Sequence, residues 1–207
     1  MTSTSTPIDW AFKRGRVHSG DVAELNAMVD RWMTVDRLGP VPWFDPDDGG
    51  RRARMLVLLE TPGPKTVGEG GSMMCSFDNK DSTNPVLRQM LSEVGVDRRM
   101  CVKWNAVPWA CLDDGGRATS PRAADLDAAA PFLAETLSLL PALELVVTLG
   151  AKSLDGYMRC LTAQTPQRIL PVIAAPHPSA RNARARAAAL ARVRIALTAA
   201  SAHLGSR

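Results

Sequence analysis

Met55-Leu56-Val57-Leu58-Leu59-Glu60-Thr61-Pro62-Gly63-Pro64 is the stretch on which the fold of this chain turns. Five apolar residues follow one another without polar alternation, the pattern of a strand buried on both faces of a sheet. A carboxylate and a Pro-Gly-Pro turn come next, so the polar chemistry begins where the strand stops. Two other apolar runs end in the same way. Met100 to Trp104 runs into Asn105-Ala106-Val107-Pro108-Trp109, and Ile169 to Ala174 runs into Ala175-Pro176-His177-Pro178-Ser179-Ala180-Arg181-Asn182. Leu145 to Leu149 supplies a fourth strand, closed by Gly150. Pro171 cannot donate to a ladder and places the last strand at a sheet edge.

Helical signals alternate with these strands. Asp21 and Glu24 resemble a capping box ahead of the stripe Val22, Leu25, Val29, Trp32 and Met33. Asn84-Pro85 reads as an N-cap and first helical residue, followed by Val86, Leu87, Met90, Leu91 and Val94. Ser120-Pro121 opens a helix with a kink expected at Pro131, Ala151 to Leu161 forms another, and Ala183 to Ala200 the last. Residues 39 to 54 and 61 to 83 read as long loops. Strand–helix alternation with continuous apolar strands predicts an α/β fold: a parallel sheet covered on both faces, within one domain spanning residues 1–207. In open sheets of this kind ligands bind beyond the carboxyl ends of the strands. Glu60, Asn105 and His177 are therefore expected to meet along one edge.

Composition narrows the function. With 45% apolar and 22% charged residues the chain has ordinary globular content. It lacks any apolar run of the roughly 18 residues that a membrane helix needs. Nothing in Met1-Thr2-Ser3-Thr4-Ser5-Thr6 resembles a secretion signal, so a cytoplasmic location is expected. The net charge of +4 comes from basic residues that are mostly arginine. Arg181, Arg184, Arg186, Arg192 and Arg194 follow the His turn, which favours an anionic partner; arginine bias also accompanies GC-rich coding. Cys75, Cys101, Cys111 and Cys160 include no Cys-x-x-Cys pair, so neither a metal nor another cofactor is expected. No Gly-x-Gly-x-x-Gly follows the first strand, which argues against a dinucleotide.

Taken in order, Glu60-Thr61-Pro62-Gly63-Pro64, Ser76-Phe77-Asp78-Asn79, Trp104-Asn105-Ala106-Val107-Pro108-Trp109 and His177-Pro178-Ser179 resemble the uracil-DNA glycosylase superfamily over roughly residues 55 to 185. The resemblance implies a three-layer α/β/α sandwich around a short four-stranded parallel sheet. It also implies a DNA repair enzyme that flips a damaged base out of the helix and hydrolyses its glycosidic bond.

Site roles follow from the same resemblance. Asn105 would read the base, accepting from uracil N3–H and donating to O4; its ordinary alternative is a turn cap. Phe77 would stack on the base, or else be a core ring that pins its loop. His177 resembles the histidine that hydrogen-bonds uracil O2 and stabilises the departing anion, although a lone His after a strand is more often a structural one. Ser179 resembles the serine that grips a flanking phosphate. Ala180 and Arg181 occupy the tip that wedges into the minor groove in relatives, many of which carry leucine there.

The first motif departs from the family's patterns. One branch has an Asp here that positions water, whereas the iron–sulfur branches read Gly-Glu-Ala-Pro-Gly. Glu60 matches the glutamate of the latter, and Thr61 replaces their alanine. Glu60 would stabilise the cationic sugar or orient water, which Thr61 would hold; a solvated loop glutamate is the alternative. Gly63 stands where one branch has a bulky Tyr against the thymine methyl. The missing cysteine pairs point to a cluster-free branch. The expectation is a monomeric, metal-free glycosylase acting on uracil in single- or double-stranded DNA, with no membrane partner. Its alternatives are a same-fold glycosylase for hypoxanthine, xanthine or a mismatched base, and a catalytically weak module that binds uracil-containing DNA. A nucleoside hydrolase is more remote.

Overall fold

A computed structural model describes residues 8–35, 39–162, 168–179 and 186–205. Four strands form the central sheet: β2 (Met55–Leu59), β4 (Cys101–Asn105), β5 (Leu145–Leu149) and β6 (Val172–Ala175). Their spatial order is β4-β2-β5-β6 and every pairing is parallel. Every residue of β2, β4 and β5 is buried, the polar Lys103, Asn105 and Thr148 included, as strands covered on both faces require. β6 lies at the edge, and Pro171 precedes its first residue while accepting a hydrogen bond from Val146 N–H. A proline is tolerated there because its missing N–H falls outside the ladder.

The two-residue period of the strands sorts their side chains into two cores. Leu56, Leu58, Val102, Trp104 and Val146 face α2 (Ala23–Met33), α5 (Ala123–Ser138) and α6 (Ala151–Leu161). Met55, Val57, Leu59, Leu145, Val147 and Leu149 face α4 (Asn84–Glu93) and α7 (Arg186–Gly205). Helices thus cover both faces, giving the α/β/α sandwich. Fully burying one such aliphatic side chain contributes about 1.5–3 kcal/mol, so the sheet is the rigid part on which the strand ends are displayed.

Three local expectations are corrected. The segment over 39–54 is not a surface loop: Val41, Phe44 and Ala53 are buried, and β1 (Trp43–Phe44) pairs in parallel with β3 (Met74–Cys75). Phe44 stacks on Trp104 with centroids 3.7 Å apart, which supplies the apolar contact that the surrounding Pro, Gly and Asp residues disguise. The capping box at Asp21 does not form. A 3-10 turn over Gly20–Val22 leads into α2, while Asp21 and Glu24 pair with Arg52 and Arg51. At α4 it is Asp81, not Asn84, that caps: its Oδ1 accepts from Thr83 N–H at 2.7 Å and Asn84 N–H at 2.8 Å. Helix α5 runs through Pro131 as one element, and α7 extends five residues beyond Ala200, to Gly205.

A buried ionic cluster joins the N-terminal segment to the loop after β3. Lys13, on α1 (Trp10–Arg14), reaches Asp45 at 2.7 Å and Asp78 at 2.6 Å. Arg98 reaches the same two carboxylates and Asp48, the last at 2.6 Å. Burial pushes the Asp78 carboxyl up, but hydrogen bonds from Lys13 and Arg98 outweigh it and hold the group well below the usual carboxylate range. Asp48 goes the other way. Burial and the Asp45 charge push its carboxyl up to about 7 against the pull of Arg98. The cluster fixes Ser76-Phe77-Asp78-Asn79 against the body of the protein, with the Ser76 hydroxyl donating to Asp45.

Candidate active site

Register brings the polar strand ends together. Leu59 lies opposite Asn105, and Leu149 opposite Ala175. The β2–β4 ladder continues one step further, with Val107 N–H donating to Glu60 O at 3.0 Å. Glu60, Asn105 and His177 therefore stand at the same carboxyl edge, and a cleft of about 640 Å³ opens there. That volume is within the range of small-molecule pockets, roughly 300–1,000 Å³. Glu60, Thr61, Gly63, Asn105, His177 and Ser179 all line it.

Asn105 is the last residue of β4 and only 4% exposed. Its Nδ2 donates to Cys75 Sγ at 3.5 Å, which orients the amide and leaves one N–H and the carbonyl oxygen for a ligand. Burial pushes the Cys75 thiol up to about 11 against the pull of Lys103, so a neutral sulfur receives that bond.

His177 follows β6 between two prolines that stiffen its turn. Its Nδ1 accepts from Ser179 N–H at 3.2 Å. In the neutral ring this places the proton on Nε2, making that nitrogen the donor.

Glu60 is half-buried and reaches across to the end of β5. Gly150 has φ +108°, and a Cβ there would overlap the Glu60 carboxylate. Gly150 also precedes α6, so the carboxylate lies at the helix end whose dipole favours negative charge. Gly150→Ala is expected to lower stability by about 1–3 kcal/mol through its backbone conformation and to displace Glu60. Thermal unfolding should register the change, and an unchanged melting temperature contradicts this account of Gly150. Thr61 donates its hydroxyl proton to Trp109 O at 2.5 Å, so toward the cleft its oxygen acts as an acceptor.

Not every expected residue reaches the cleft. Phe77 is 1% exposed and packs in the core between the sheet and α4, so its ring does not line the cavity. The loop carrying it is held inward by the ion pairs of Asp78 and by the hydrogen bond that the Ser76 hydroxyl donates to Asp45. Ala180 and Arg181 lie outside the described residues. Conversely, Cys75, Asn79, Asn84 and Lys103 line the cleft although the sequence suggested no site role for them. A lysine inside an otherwise apolar strand was the available signal for Lys103: it shares the strand face of Asn105 by the two-residue period. Among the described residues, no group of three or more His, Cys, Asp or Glu side chains is placed to hold a metal ion.

The family model of the uracil DNA glycosylase superfamily matches residues 46–199, which include all four sheet strands and every cleft residue named above. The chain belongs to that superfamily, and membership implies DNA glycosylase activity. No curated protein matches the chain by sequence comparison.

Proposed function

We propose that the protein excises uracil from DNA by hydrolysing its N-glycosidic bond. One observation carries this reading: an oriented amide at the end of β4, Asn105, and an imidazole donor just beyond β6, His177, line one cleft. An amide reads the N3–H and O4 edge of uracil, and an Nε2–H donor suits O2, where charge gathers as the base departs.

In the proposed reaction the flipped nucleotide enters the cleft and its C1′–N1 bond breaks. The electron pair leaves with the base and spreads over N1, O2 and O4, while positive charge develops on the sugar. His177 stabilises the departing anion through O2. Glu60 opposes the sugar cation and takes the proton of the attacking water, whose oxygen bonds to C1′. Thr61, with its own proton committed to Trp109, accepts from that water. Protonation of the base by solvent completes the products, a free base and an abasic site. Ser179 holds a flanking phosphate by its hydroxyl, and Ala180 and Arg181 fill the space left in the duplex. The protein acts as a monomer in the cytoplasm.

A second reading, a broader lesion range, is favoured by Gly63. A Cβ at that position would meet nothing within 4 Å, so this wall is open where a bulky residue would exclude 5-substituted pyrimidines. Oligonucleotides carrying single uracil, hypoxanthine, xanthine or mismatched thymine residues, incubated with the protein and then cleaved by alkali, distinguish the readings. Uracil release supports the proposal. Release of another base alone replaces it with a different lesion, and binding without release favours a recognition module. Excision is also expected to persist in chelator, with a colourless protein free of stoichiometric iron or zinc. Visible absorption together with iron by elemental analysis would overturn the metal-free reading.

A further inference from the structure

Lys103 has no part in the roles assigned above, yet its surroundings are those of a functional cation. It is 4% exposed, lies on the same strand face as Asn105 two residues deeper, and lines the cleft. The two Cα atoms are about 6.5 Å apart at the rise of a strand, so the lysine belongs to the cleft floor beneath the base-reading amide. Its Nζ donates to Ser76 O at 2.7 Å and Asn84 Oδ1 at 2.5 Å, and sits 5.6 Å from the Phe77 ring centroid. Both hydrogen-bond partners are neutral, and among the described residues no carboxylate lies within ion-pair distance of it.

Two of the three ammonium donors are thereby used, and one remains. A buried cation without a paired anion is costly. It becomes useful when negative charge appears beside it in a site from which water is excluded. The carboxylates of the neighbouring ionic cluster make their ion pairs with Lys13 and Arg98 instead; Asp48 feels the Lys103 charge, but not through a direct ion pair.

We infer that Lys103 is a second stabiliser of the departing base anion, acting from the cleft floor while His177 acts at O2. This rests on the proposed glycosylase reading. The electron pair released from the C1′–N1 bond is delocalised over the base, and the Lys103 ammonium lowers its energy without transferring a proton. The consequence is specific: removing the cation must hurt poor leaving groups more than good ones.

Single-turnover excision of uracil and 5-fluorouracil from otherwise identical oligonucleotides tests this. Fluorine withdraws electrons and stabilises the base anion by itself. Lys103→Gln retains donors but loses the charge; Lys103→Arg retains charge and donors. For Lys103→Gln the expected loss on uracil is about 100-fold, with a smaller factor on 5-fluorouracil, and Lys103→Arg should recover much of the difference. Should Lys103→Gln fail to fold, Lys103→Met gives the same comparison. Equal loss on both bases, or no loss on either, overturns the inference while leaving uracil excision intact. Failure of the wild-type protein to release either base overturns the proposed function and this inference with it.

Discussion

His177→Ala should lower single-turnover uracil excision by about two to three orders of magnitude, the usual scale for losing one donor to a developing anion. Affinity for the uracil-containing oligonucleotide should scarcely change. The O2 of an intact nucleotide is a weak acceptor, whereas O2 of the leaving base carries much of the released charge. A hydrogen bond to it therefore stabilises the transition state more than the ground state. The surroundings of His177 suit the expected role. Ser179 N–H occupies Nδ1, so the neutral ring presents Nε2–H without first taking up a proton. The two prolines around it limit how far the ring's backbone can drift. Paired measurement of rate and affinity separates this role from a structural one, which would disturb both.

Asn105→Asp is expected to have a comparably large effect, but on selectivity. The wild-type amide offers one acceptor and one uncommitted N–H toward the cleft, because its other N–H is held by Cys75. An ionised Asp can only accept, so it faces uracil O4 as acceptor against acceptor and matches the amino group of cytosine instead. It also loses the donor that Cys75 receives. Sites that hydrogen-bond a substrate group can discriminate against a mismatched analogue by factors of about 10⁴–10⁵. Uracil excision should fall steeply, and the ratio of uracil to cytosine excision should fall with it. Competition between uracil- and cytosine-bearing oligonucleotides measures that ratio. A variant that removes uracil as fast as the wild type contradicts the role given to Asn105.

Legibility followed the physics of each segment. Strands β2 and β5 could be read because burial on both faces leaves runs that are apolar but for Thr148, and β4 because apolar residues flank its single lysine. The cleft residues at their ends were readable because parallel strands in register deliver their C-terminal residues to one edge. The β1–β3 pair was hidden because two-residue strands have no period to detect, and Phe44 is held by its contact with Trp104. The inward placement of Phe77 depends on Lys13 and Arg98, far from it in sequence, meeting Asp45 and Asp78. Such long-range ion pairs leave no local pattern. Lys103 is the converse case: a charge inside a core strand is conspicuous in the sequence, but its place on the cleft wall appears only in the folded chain.

The most direct test of the central claim is single-turnover incubation of the wild-type protein and His177→Ala with a DNA strand bearing one uracil, with product read as alkali-labile cleavage. Cleavage at the uracil position by the wild-type protein is expected, with a rate about 100- to 1,000-fold lower for the variant and oligonucleotide affinity preserved. No cleavage at uracil by the wild-type protein, or equal rates for the two proteins, would contradict that claim.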